Sequence, residues 1–200
     1  MPKIKLCGMM SLQDIETANR LMPDYVGFVF WAKSRRFIRP ESASLFIQNM
    51  NNAIQAVGVY VDESPETIAN MFRNGLIHLA QLHGSEDESY ISALRKMVSV
   101  PIIKAFRIRS KADLEAAKRS TAEYILLDAG MGDGQTFDWE LLANFDRPYF
   151  LAGGLTPQNV TEAIRRLHPF GVDVSSGIET DGKKDKDKMT LFAANVRSAL

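Results

Sequence analysis

DVSSGIE (Asp173–Glu179) and, upstream of it, LAGGLTP (Leu151–Pro157) each run from an apolar stretch into glycine and small hydroxyl residues. A strand that ends in Gly-Gly or Ser-Ser-Gly leaves backbone N–H groups bare. A helix beginning directly after it turns its positive end to the same spot, and a chain can hold phosphate this way without a lysine. Two ordinary strand-to-helix turns would carry the same residues, so the rest of the chain has to decide. Two such turns in the last quarter of an α/β chain match the phosphate site that follows strands seven and eight of a (β/α)₈ barrel.

Working outward, strand-like and helix-like runs alternate along the whole sequence. The expected strands are Lys3–Cys7, Tyr25–Phe30, Gln55–Val61, Leu79–His83, Ile102–Arg107, Tyr124–Asp128, Tyr149–Gly153 and Gly171–Ser175. They are short, mostly apolar and bounded by turn residues, as parallel strands covered on both faces are. Helix-start signals lie between them at Ser11, Pro40-Glu41, Ser64-Pro65-Glu66, Ser85-Glu86, Ser110, Phe137-Asp138, Thr156-Pro157 and Asp185. Hydroxyl or acidic caps, and proline in the first turn, are what a helix start tolerates. Strict alternation predicts a parallel α/β fold, and about eight units favour a closed barrel over an open sheet. No linker divides the chain, so residues 1–200 read as a single (β/α)₈ TIM-barrel domain. At 200 residues it is short beside the usual barrel length of about 250. The charged run GKKDKDK (Gly182–Lys188) reads as a solvated loop before the last helix.

Composition narrows the function. Lys plus Arg and Asp plus Glu are 24 each, so the net charge is zero and gives no electrostatic case for nucleic acid or an anionic membrane. No apolar run approaches membrane-spanning length, and the first residues, MPKIKLCGMM, lack a signal-peptide core. One cysteine excludes an intrachain disulfide and a cysteine zinc cluster. His78, His83 and His168 lack metal-ligand spacing, GMGDGQ is not the dinucleotide fingerprint, and there is no phosphate loop of the Gly-Lys-Ser/Thr kind. Neither metal nor cofactor is expected, and the protein is expected to be cytoplasmic.

A barrel of this kind builds its active site where strands end. Period-two alternation puts Lys5 with Cys7, Gln81 with His83, and Asp173 with Ser175 on shared faces. Charged and amide side chains are costly against helices, so these faces should point into the barrel. Cys7 ends the first strand, and a lone cysteine is as readily a small buried hydrophobe. At this rim, with Lys5 on its face, positive charge would favour the proton-accepting thiolate. Asp128 ends the otherwise apolar YILLD, where it is either a loop cap or a carboxyl whose pKa a dry pocket raises until it donates near neutrality.

The segments KLCGM, GFVFWAKSRRFI, QLHG, the F-D-W after the strand-six aspartate, LAGGLTPQNV and DVSSGIE fall in the order found in another group of sequences. Over essentially its whole length the chain resembles the N-(5′-phosphoribosyl)anthranilate isomerases of tryptophan biosynthesis. The resemblance implies an aldose–ketose isomerase that performs an Amadori rearrangement of phosphoribosylanthranilate without metal or cofactor, as a monomer or homodimer. It implies Asp128 as general acid, Cys7 as general base and Arg36 facing the anthranilate carboxylate, with Arg35 its weaker neighbour. His83 is a further pocket candidate, and amides at Gly153, Gly154, Ser175, Ser176 and Gly177 would hold the phosphate. One departure is AGMGDGQTFDW, where Met131 and Asp133 replace the glycine and threonine of a longer loop, implying a shorter lid over the acid. The same-fold rival, the histidine-pathway isomerase, is expected to use two aspartates, whereas strand one here ends in cysteine. A catalytically silent, metabolite-binding barrel is the rival of another class.

Overall fold

Each short apolar run is a strand in the computed structural model, which describes residues 1–128, 142 and 145–199. The strands are β1 (Lys3–Cys7), β2 (Tyr25–Val29), β3 (Gln55–Tyr60), β4 (Leu79–Leu82), β5 (Ile102–Arg107), β6 (Tyr124–Asp128), β7 (Tyr149–Ala152) and β8 (Gly171–Val174). They pair in parallel in sequence order, and β8 closes onto β1 to complete an eight-stranded barrel. At the seam Lys5 stands opposite Asp173 of β8 on one side and Tyr25 of β2 on the other. Five strands stop one residue before the expected end, because the last residue already turns out of the ladder into its loop.

The helices are α1 (Leu12–Leu21), α2 (Pro40–Gln48), α3 (Pro65–Arg73), α4 (Glu88–Met97), α5 (Lys111–Arg119), α6 (Val160–Leu167) and α7 (Lys186–Arg197). Ser11 caps α1 with a full capping box, its hydroxyl taking the Asp14 N–H while the Asp14 carboxylate takes the Ser11 N–H. Ser64 with Pro65, and Asp185, open α3 and α7 as expected. Two starts differ. α4 begins after Asp87, whose carboxylate accepts the Tyr90 N–H, because Glu86 is turned inward to Lys104 and to the amides of Asp62 and Gly84. α6 begins at Val160, after a turn in which Asn159 accepts the Thr156 N–H, rather than at Thr156-Pro157. The expected start at Phe137-Asp138 and the AGMGDGQTFDW lid lie outside the described residues.

Strand alternation divides the core in two. Outward residues such as Leu6, Phe28, Leu82 and Leu127 pack under the helices, while Tyr25, Val57, Leu79, Ile103, Leu126 and Phe150 fill the barrel floor. Each fully buried side chain of this size contributes about 1.5–3 kcal/mol of transfer free energy. Above the floor Cys7, Val29 and Val59 form a smaller apolar layer. No helix among the described residues is long and apolar enough to cross a membrane.

The segment after β8 departs from expectation. GKKDKDK is not a solvated loop: Glu179–Thr180 (β9) and Lys183–Lys184 (β10) form a small antiparallel hairpin. Asp181 and Gly182 make its turn with φ of 50° and 76°, the double positive φ of a two-residue hairpin loop. Side-chain direction alternates along the strand, so Lys183 faces water while the Lys184 side chain is fully buried.

Candidate active site

A cavity of about 490 Å³ opens at the carboxyl ends of the strands. Cys7 enters it from β1, Arg36 from the β2–α2 loop, and His83 and Asp128 from the ends of β4 and β6. Gly153, Gly154, Ser175 and Ser176 line the side formed by the loops after β7 and β8. Of the sequence-derived candidates, Gly177 and the weaker Arg35 do not line it; the 3₁₀ turn Ser176–Ile178 packs Gly177 against Leu155. Any donors on this side come from turns, since α6 starts well past Gly154 and no α-helix follows Ser175 directly. Gly153 and Gly154 are successive residues at φ 90° and 66°, and the space where a Gly154 Cβ would project is open for 4 Å. Successive backbone amides in such turns form a concave anion seat.

Cys7 sits in a tight electrostatic group. The Lys5 ammonium, fully buried inside the barrel, donates to Asp173 Oδ1 at 2.8 Å. Burial pulls the Lys5 pKa down, but Asp173 and then Cys7 outweigh it and leave it raised. Burial pushes the Cys7 thiol up, Lys5 pulls it back, and Asp173 pushes it up again, for a net rise. Lys5 acts on the thiol in the expected direction, favouring the thiolate, but burial and the Asp173 carboxylate together outweigh it. Gly27 on β2 makes room for the thiol, since a Cβ there would lie 2.6 Å from Cys7 Sγ.

The side of the cavity that carries the Asp128 carboxyl is built by β4 and β6. His83 Nε2 lies 3.5 Å from Asp128 Oδ2, and His83 Nδ1 meets the Gln81 amide nitrogen at 2.8 Å. With that amide donating to Nδ1, the ring proton sits on Nε2, toward the carboxylate. The Asp128 side chain is 19% exposed.

Arg36 is held rather than loose. Its Nε and Nη2 donate to Glu179 Oε1 at 2.6 Å and Oε2 at 2.8 Å, a two-point fork that raises the guanidinium pKa further. Nε and Nη2 are thus engaged on the side of Glu179, and Arg36 lines the cavity. Arg35 joins from outside, donating to Glu179 Oε2 at 2.7 Å with its side chain 60% exposed. Lys184 completes the group at 2.7 Å from Glu179 Oε1. Sequence reasoning gave Glu179 and Lys184 no role, although the Asp-Gly turn between two short runs was a hairpin signal that would have paired them. Trp31, on the Arg36 loop, and Arg107, whose register partner is Asp128, also line the cavity and were given no role.

A closed parallel barrel with a thiol, a carboxyl, a guanidinium and glycine- and serine-rich turns around one mouth has the architecture of a (β/α)₈-barrel enzyme with its cavity at the C-terminal rim. Residues 4–195 match the family described as N-(5'phosphoribosyl)anthranilate (PRA) isomerase. The N-(5'-phosphoribosyl)anthranilate isomerase of Endomicrobium trichonymphae is 43% identical over 203 residues, covering 99% of this chain and all of that protein. The crystal structure of phosphoribosyl anthranilate isomerase from Thermotoga maritima superposes with a TM-score of 0.89 at 35% identity, covering 98% of this chain and 99% of that one. A structure of the isomerase in complex with reduced 1-(o-carboxyphenylamino)-1-deoxyribulose 5-phosphate gives 0.86 at 35% identity, with 98% and 99% covered. The chain belongs to the N-(5′-phosphoribosyl)anthranilate isomerase family.

Proposed function

We propose that the cavity converts N-(5′-phosphoribosyl)anthranilate to 1-(o-carboxyphenylamino)-1-deoxyribulose 5-phosphate, with Asp128 as general acid and Cys7 as general base. The reading rests on one observation: acid, thiol, Arg36 and the Gly-Gly and Ser-Ser turns line the same cavity. Asp128 gives its proton to the furanose ring oxygen as the C1′–O bond breaks, and the nitrogen lone pair forms the protonated Schiff base. Cys7, as thiolate, takes the C2′ proton, and the C–H electron pair moves to the C1′–C2′ bond while the C=N pair returns to nitrogen. The enolamine then tautomerises to the ketone. The rearrangement is an internal shift of hydrogen with no net oxidation, so its balance calls for no redox partner. The phosphate end is assigned to Gly153, Gly154 and the Ser175–Gly177 turn, and the anthranilate carboxylate to the outer edge of Arg36. A base of this kind needs a reduced thiol, which fits the cytoplasm.

Loss of the substrate's anthranilate-type fluorescence tests the assignment directly. Cys7→Ala and Asp128→Asn should each lower kcat by roughly 10²-fold or more, the share of a general acid or base, with little change in product binding. Near-wild-type turnover by either variant, free of host enzyme, refutes the roles.

A further inference from the structure

Lys184 does not line the cavity, yet its fully buried ammonium touches Ser175 in one wall and Glu179, which holds Arg36 of another. It donates to Ser175 O at 2.9 Å, lies 3.3 Å from Ser175 Oγ, and donates to Glu179 Oε1 at 2.7 Å. Ser175 belongs to the turn assigned to phosphate, and Glu179 holds the Arg36 fork assigned to the carboxylate. Lys188 fixes the same segment by donating to the Glu179 carbonyl at 2.7 Å. A buried ammonium is an expensive way to fill space, and an apolar residue of similar volume would often serve stability as well or better. A hairpin with two-residue strands also has little stability of its own. What Lys184 adds is a connection between two places that grip opposite ends of one ligand.

We propose that Lys184 and Glu179 form a positioning strut that couples the phosphate turn at Ser175 to the orientation of Arg36. The inference rests on the assignment of Arg36 to the carboxylate. The strut fixes the spacing of the two anion sites, so that seating the phosphate holds Arg36 at the angle the aromatic carboxylate needs. Neither strut residue contacts the reacting atoms.

A double-mutant cycle tests it with two ligands. Reduced 1-(o-carboxyphenylamino)-1-deoxyribulose 5-phosphate carries both ends, and ribulose 5-phosphate carries the phosphate end only. Calorimetric affinities are measured for wild type, Lys184→Met, Arg36→Ala and the double variant, with thermal melting alongside. Lys184→Met should weaken the two-ended ligand about tenfold in the wild-type background but only about twofold once Arg36 is alanine, the non-additivity of groups in one network. Its effect on ribulose 5-phosphate should be the smaller one in both backgrounds. Additive losses overturn the strut and leave the Arg36 assignment standing. A lowered melting temperature with equal losses for both ligands also overturns it, since that is a purely structural lysine. Arg36→Ala weakening both ligands equally is a different failure: the carboxylate assignment falls first and takes the strut with it. Should Lys184→Met fail to fold, Glu179→Gln enters the same cycle with the same expected and overturning outcomes.

Discussion

Lys5 holds one ammonium between two groups that compete for it, the Asp173 carboxylate and the Cys7 thiol. The competition has a sign that can be tested. Removing the ammonium with Lys5→Met deletes the larger of the two charges that lower the thiol pKa, Lys184 being the other, so the acidic limb of kcat/KM should move to higher pH. Asp173→Asn removes the rival anion and leaves Lys5 to the sulfur, so the same limb should move to lower pH. The pH dependence of alkylation by iodoacetamide follows Cys7 itself, because it is the only thiol. Both variants shifting in the same direction rules out the competition. Each breaks a buried pair, at a cost of about 3–5 kcal/mol, so the comparison is made on the folded fraction well below the melting temperature. Nothing in the spacing of K-x-C-G reveals this balance. The sequence puts Lys5 and Cys7 on one face, but the partner that engages the lysine comes from the other end of the chain.

Among the elements, the β9–β10 hairpin is tied down by charge, through Glu179 with Arg35, Arg36 and Lys184. Burial pushes the Glu179 carboxyl up, but hydrogen bonds from Arg36 and Lys184 and their charges outweigh it and leave the pKa lowered. A lowered folded-state pKa contributes stability that is fully present above the ordinary glutamate value of about 4.3 and lost as pH falls through the folded value. Melting temperature should therefore drop on acidification below that range, and Glu179→Gln should melt lower at neutral pH while losing part of this dependence. An unchanged acid slope in the variant counts against Glu179 as the group responsible. The hairpin also marks where the sequence misleads. The eight strands are legible because burial on both faces makes them continuous apolar runs closed by glycine or a polar residue. In ETDGKK the apolar signal is absent, and only the Asp181-Gly182 turn betrays the pairing. At α4 the misleading residue is Glu86: it reads as a first-turn acid, yet Lys104, itself inside an apolar run, draws it inward. Most of the cavity wall was legible from strand ends. What was not, Glu179 and Lys184, lies on a segment whose composition resembles any exposed charged loop.

On the scale of the whole molecule, closure removes the edges that an open sheet would leave. β1 and β8 are each paired on both sides, so their amides should resist hydrogen exchange about as well as those of β4. Markedly faster exchange in β1 and β8 would show a seam that opens as an edge. The seam also bears on how the polypeptide is made. Lys5 is synthesised well ahead of its carboxylate partner, which follows 168 residues later. Until that partner arrives, closing the early strands around the ammonium would strand a charge away from water, at a cost no nearby contact repays. The nascent protein is thus discouraged from shutting its interior prematurely. A translation product that stops before β8 carries an uncompensated lysine at its centre, which exposes it to the cell's proteases and makes the last strand a check that the barrel can close.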